Sequence, residues 1–201
     1  MAPPAATSNR RARGRLDRND WLRQAWEAFV SGGIGAVSVK DLARKLEVTR
    51  GSLYHHFADR QDLLQELLQY WEEHWTLKVR EDVRALDLDP SETLLALARI
   101  IRQRGASRYD VRVRAWALDD PQVRGLVRQV DEERLEFIRS QFDALGFDEL
   151  EAESRARQFL YYEMAEPAVL AGQSEELKEE LLLARHALLT ATNGTKSMKE
   201  K

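Results

Sequence analysis

Cysteine is absent from the 201-residue chain. Neither a disulfide framework nor a thiolate-bound metal is available, and a reducing compartment, the cytoplasm, is the expected setting. Long hydrophobic runs are missing as well. None approaches the roughly 18 residues of a membrane span, and the opening MAPPAATSNRRARGRL lacks the apolar middle of a secretory signal. Proline is scarce, five in all, and no stretch sustains the alternation of a half-buried strand. Glycine-rich phosphate loops and nucleophile motifs are lacking too. His74 in YWEEHW has no second ligand at metal spacing, and His186 is isolated. No enzyme activity, metal, cofactor or membrane attachment is expected from such a chain.

What is present is charge, unevenly spread. The first 60 residues hold eleven Lys and Arg against six Asp and Glu, an excess of +5, so the remainder carries −8 of the net −3. That asymmetry suggests a polyanion-facing N-terminal part on an acidic body, with a chance fluctuation of surface charge as the plain alternative. Hydrophobic residues make up 43%, enough for one compact unit or a small domain fused to a larger one.

Almost everything between a basic arm (1–17) and a polar tail (193–201) reads as helix, so the fold class is all-α. Asp20 is the expected cap of a first helix ending at Gly32-Gly33, with Trp21, Ala25, Trp26 and Phe29 inward. Ser38 with Asp41 signals a second helix, Thr49 a short third, and Asp59 a long fourth whose stripe runs from Leu63 to Val79. Pro90 and Pro121 each suit a first helical position, and Gly146 ends the segment that Pro121 opens. Two last helices are expected over 148–171 and 174–192, with Pro167 kinking or shortening the former.

Helix, LEVT, helix is the layout of a helix-turn-helix, with small Ala43 allowing a close crossing. After the turn comes GSLYHHFADRQDLL, four rings in a row. Leu53 and Phe57, four apart, belong inward, while Tyr54 and His55 spread outward and His56 is either packed or phosphate-facing. A phenol or imidazole can donate to phosphate oxygens and so fix register without reading bases.

The turn and GSLYHHFADRQDLL resemble the signature of the TetR family of bacterial transcriptional regulators, over residues 18–68. The resemblance implies a DNA-binding domain at 18–64 joined by the long fourth helix to a helical ligand-binding and dimerisation domain at 65–192. It implies DNA-facing roles for Lys40, Thr49, Arg50, Gly51, Ser52, Tyr54, His55 and Arg60. Arg50 offers a fork to guanine, Gly51 permits close approach, and Arg60 stands where the family usually has lysine at the start of the fourth helix. A solvated arginine beside Asp59 and Asp62 is the competing account of Arg60. Glu47 takes a turn position where glycine is common, at a cost of about 1 kcal/mol if its backbone is left-handed. The arm from Arg10 to Arg18 is either a minor-groove arm or a solvated terminus.

For the body, possible ligand-lining residues are Trp71, Trp75, Arg104, Tyr109, Trp116, Tyr162 and Glu163, against ordinary aromatic packing as the competing account. Glu163 and Glu166 sit among apolar residues in FLYYEMAEPAVL, where a buried carboxylate would need a partner. The implied function is a dimeric repressor released from a palindromic, double-stranded operator by a small-molecule effector. The alternative is an effector-independent DNA-binding architectural or adaptor protein of the same fold.

Overall fold

A computed structural model describes residues 16–169 and 172–191, with the backbone alone for 167–169. The expected basic arm and polar tail lie outside the described residues, apart from Leu16 and Asp17. Among the described residues the chain is all-α.

The helices are α1 (Arg18–Gly32), α2 (Val39–Lys45), a 3₁₀ helix (Arg50–His55), α3 (Arg60–Glu72), a π segment (Glu73–Leu77), α4 (Lys78–Arg84), α5 (Pro90–Arg104), α6 (Ser107–Asp119), α7 (Pro121–Ala144), α8 (Glu149–Val169) and α9 (Glu175–Thr190). Two compact units divide them. One holds the described residues up to Leu77 with Arg104–Arg128; the other holds Lys78–Gln103 with the described residues from Gln129 onward.

Local chemistry sets the boundaries. The cap of α1 is Asp17, not Asp20. Asp17 accepts from the Asp20 amide and Asp20 reaches back to the Asp17 amide, a reciprocal box that satisfies two orphan donors one turn earlier than expected. Ser38 and Asp59 accept amides three residues ahead, as their positions predict, and Ser174 does the same at the start of α9. Thr49 is an N-cap without a side-chain hydrogen bond, and the helix it opens is 3₁₀ rather than α. Helix α8 continues through Pro167 to Val169. The proline therefore does not end the helix at its own position, and α8 stops two residues later, at Val169.

In the first unit Trp21, Phe29, Leu42, Leu53, Phe57, Leu63, Leu67 and Trp71 are all but fully buried. Each large side chain so buried contributes about 2 kcal/mol of transfer free energy. In the second unit Val83, Leu94, Ile138, Phe142, Ala152, Ala156 and Phe159 form the core, the alanines allowing close helix approach.

Candidate nucleic-acid interface

Helix α2 ends in a left-handed residue. Glu47 has φ 57°, its amide donates to the Arg44 carbonyl, and the Val48 amide donates to the Ala43 carbonyl at 2.9 Å. These two bonds make a Schellman motif, whose third requirement is a residue tolerating φ > 0. Glu47 meets it at a strain of about 1 kcal/mol. The chain then reverses into the 3₁₀ helix, with Ala43 at 2% exposure letting the two pack closely.

The four rings now separate. Leu53 is 0% and Phe57 2% exposed, whereas Tyr54 is 58% exposed and His55 is exposed beside it. His56 is half-buried, and its backbone is engaged at both ends: its amide donates to Leu53, and its carbonyl accepts from Arg18 Nη1 at 2.5 Å. Its place is therefore set by the backbone of the turn.

Arg18 makes that anchor. Its guanidinium also donates through Nε to Glu66 at 2.7 Å and lies 4.4 Å from the centre of the Phe57 ring. The hydrogen bond to Glu66 raises the Arg18 pKa. Arg18 is thus a structural clamp at the start of α1, not the end of a free arm. Arg60 has a similar duty. Nε donates to the Val37 carbonyl at 2.8 Å and Nη2 to the Ile34 carbonyl at 3.1 Å, fixing the 3₁₀ turn Ile34–Ala36 that precedes α2. Those two bonds use two of the five guanidinium N–H donors, and Arg60 is otherwise exposed.

Lys40, Lys45, Thr49, Arg50, Gly51, Tyr54 and His55 are exposed, and Ser52 is half-buried. Arg44 pairs with Asp41 at 2.8 Å on the exposed side of α2. The structure therefore groups Lys40, Thr49, Arg50, Gly51, Ser52, Tyr54 and His55 on the short segment α2–turn–3₁₀ helix, with exposed Arg60 at the start of α3 holding the Ile34 and Val37 carbonyls. Hydroxyl, amide, guanidinium and ammonium donors so arranged suit phosphate oxygens and guanine edges.

The suggested ligand-lining residues do not gather in one unit. Trp71, Trp75, Arg104, Tyr109 and Trp116 belong to the first, Tyr162 and Glu163 to the second. Trp75 stacks on Tyr109 at 4.3 Å, Trp26 packs against both Tyr109 and Tyr70, and Phe29 meets Trp116 edge-on. Trp71 Nε1 donates to buried Asp110 at 2.8 Å. These rings are a packed aromatic core joining α1, α3 and α6; the part played by Trp26 and Phe29 was hidden because their partners lie far away in sequence.

In the second unit Glu163 is buried and accepts from Arg185, whose guanidinium lies 3.9 Å from the Tyr162 ring centre. Burial pushes the Glu163 carboxyl up to about 7, with Arg185 opposing. Glu166 is half-buried and accepts from the Tyr162 hydroxyl at 3.5 Å.

Residues 22–67 match the family described as bacterial regulatory proteins, tetR family. Over 97 residues the chain is 36% identical to the HTH-type transcriptional repressor KstR2 of Rhodococcus jostii (strain RHA1), covering 48% of this chain and 46% of that protein. The chain thus matches a little under half the length of this relative. Two crystal structures share the fold at low identity. AibR, in complex with isovaleryl coenzyme A and operator DNA, superposes with a TM-score of 0.67 at 16% identity, covering 86% of this chain and 97% of that one. FadR from Bacillus subtilis, in complex with stearoyl-CoA, gives 0.63 at 14% identity over 86% and 97%. With the helix-turn-helix geometry above, these similarities assign residues 22–67 to the helix-turn-helix region of the TetR family of bacterial regulatory proteins.

Proposed function

We propose that this protein is a ligand-responsive, dimeric DNA-binding transcriptional regulator acting as a repressor, with residues 18–64 reading DNA and 65–192 serving effector binding and dimerisation. The observation that carries it is the exposed set Lys40, Arg50, Tyr54 and His55 on a turn braced by Arg18 and Arg60. A preorganised donor surface avoids the ordering cost of a flexible one and keeps the register of its phosphate contacts.

In this reading the start of the 3₁₀ helix enters the major groove, Arg50 offers its fork to guanine, and Lys40, Thr49, Ser52, Tyr54 and His55 hold the backbone. Gly51 permits close approach; a Cβ there would meet only the Thr49 hydroxyl, at 3.7 Å. Two copies related by a two-fold axis would read half-sites about one helical turn apart. The KstR2 relative is a repressor, and the AibR and FadR structures hold coenzyme A thioesters, so acyl-coenzyme A compounds are the first effectors to test. A DNA-bound role sets the protein in the cytoplasm.

Fluorescence anisotropy with duplexes from its own promoter region tests the proposal. Specific fragments should bind at least tenfold more tightly than random duplex at physiological salt, and an effector should weaken that binding. Equal affinity for both duplexes removes the regulator reading. Specific binding that no ligand changes favours the effector-independent alternative.

A further inference from the structure

Within the first unit, a cleft of about 500 Å³ opens between α1 and the α3–π segment. Its wall includes Trp26, Tyr70 and His74, with Glu66 and Glu73 as its carboxylates. Tyr70 and His74 stack at 3.9 Å with planes 24° apart. His74 Nδ1 lies 3.1 Å from the Tyr70 carbonyl; because a carbonyl only accepts, Nδ1 carries the proton and, in the neutral ring, Nε2 is left as an acceptor. The cleft's cation, Arg23, is paired with Asp20 at 2.5 Å, and Glu66 is paired with Arg18. Glu73 is exposed, and no ion pair among the described residues neutralises it. It is near enough to help raise the Tyr70 phenol, after burial and Tyr109.

We infer that this cleft binds a small organic ammonium carrying an aromatic ring, its charge on Glu73 and its ring against the stacked Tyr70–His74 pair. Aromatic faces attract cations, and an uncompensated carboxylate beside them selects a cation over a neutral molecule of the same shape. The site lies in the first compact unit, between α1 and the opening helix of the 65–192 segment assigned above to effector binding and dimerisation. It is wired to the DNA-facing turn through one residue: Glu66, on the cleft wall, holds the same Arg18 guanidinium that donates to the His56 carbonyl and covers Phe57. A cation in the cleft competes for Glu66 and so loosens the hold of Arg18 on the turn. The consequence of that loosening for DNA rests on the proposed function; the binding site does not.

The chain has four histidines, which makes ring NMR a direct readout. His74 reports the cleft, His55 and His56 the turn, and His186, hydrogen-bonded to Ser91 in the second unit, is the control. The probe is 2-phenylethylammonium, with 2-phenylethanol as its neutral counterpart, added to the full chain without DNA. Saturable shifts at His74 are expected with the ammonium and not the alcohol, with His186 unmoved. His56 should follow the same binding curve, and Glu73→Gln should weaken the ammonium about tenfold, the order of one lost charge-assisted contact. Glu73 is exposed, so the variant keeps its fold. Equal shifts with the alcohol, unchanged affinity in Glu73→Gln, or an unmoved His74 overturns the site. Saturation at His74 with His56 still overturns the coupling through Arg18. No signal requires DNA, so a failed operator assay and a failed cleft are separately visible.

Discussion

At the scale of the residue, Tyr54 is the simplest test of the interface. Its ring is largely exposed while Leu53 beside it is buried, so its hydroxyl can serve phosphate without a role in folding. Tyr54→Phe is expected to weaken operator and random DNA alike by about 1 kcal/mol, the worth of one hydrogen bond, with the melting temperature unchanged. Anisotropy on both duplexes checks it; lost discrimination at constant random-DNA affinity would contradict the phosphate role. The inward places of Leu53 and Phe57 were legible because four-residue spacing marks one side of a helix. The position of His56 was not, because its carbonyl partner Arg18 is 38 residues away, and no local pattern encodes such a bond.

Glu163 gives a second residue-level prediction, in pH. Its folded-state pKa of about 7 lies above the ordinary glutamate value, so the native state binds a proton that the unfolded chain releases. The resulting stabilisation is complete below that ordinary value and lost as pH rises through about 7, amounting to a few kcal/mol at most. Glu163→Gln, which keeps a neutral acceptor beside Arg185, should flatten that decline. Urea unfolding of both proteins at about pH 5 and pH 8 measures it; parallel pH curves would place the titration elsewhere. The sequence did show a carboxylate among apolar residues, but not that Arg185, on α9, would meet it.

At the scale of the element, the end of α2 carries a correctable strain. Both Schellman hydrogen bonds are present, yet the left-handed position holds Glu47. Glu47→Gly should raise stability by about 0.5–1 kcal/mol, less than the full strain because glycine also enlarges the entropy of the unfolded chain. It also removes a carboxylate close to the DNA-facing donors, so affinity for random duplex at low salt should increase. Denaturant midpoints and a salt titration test the two effects independently, and a lower midpoint would mean that Glu47 makes a compensating interaction. Of the expected helix caps, Ser38 and Asp59 act on amides three residues on, whereas Asp17 takes the place expected of Asp20 and Thr49 makes no side-chain cap bond. The least legible elements were the 3₁₀ helix and the π segment, whose geometry is decided by tertiary packing around Leu53, Trp75 and Thr76 rather than by propensity.

At the scale of the whole molecule, apolar surface on the last two helices points to a partner. Leu150 and Tyr161 on α8, and Leu177 and Leu188 on α9, are exposed at 79%, 51%, 42% and 76%. Within each pair the residues are about three turns apart, so they share one side of their helix. Large apolar side chains recurring along a helix face, beside a core already filled by Phe159, Leu182 and Leu189, fit an interface between copies better than a solvated surface. Such a face would make the protein dimeric and supply the second reading head that a palindrome requires. Leu177→Glu with Leu188→Glu should convert the dimer to monomer in sedimentation, with helical content intact because neither side chain fills the core. The monomer should retain binding to random DNA through Lys40, Arg50 and Tyr54 but lose at least about a hundredfold on the operator, since the second half-site no longer binds at the effective concentration of a tethered partner. A variant that stays dimeric would move the interface to another surface, and a monomer with undiminished operator affinity would show that one copy reads the site alone.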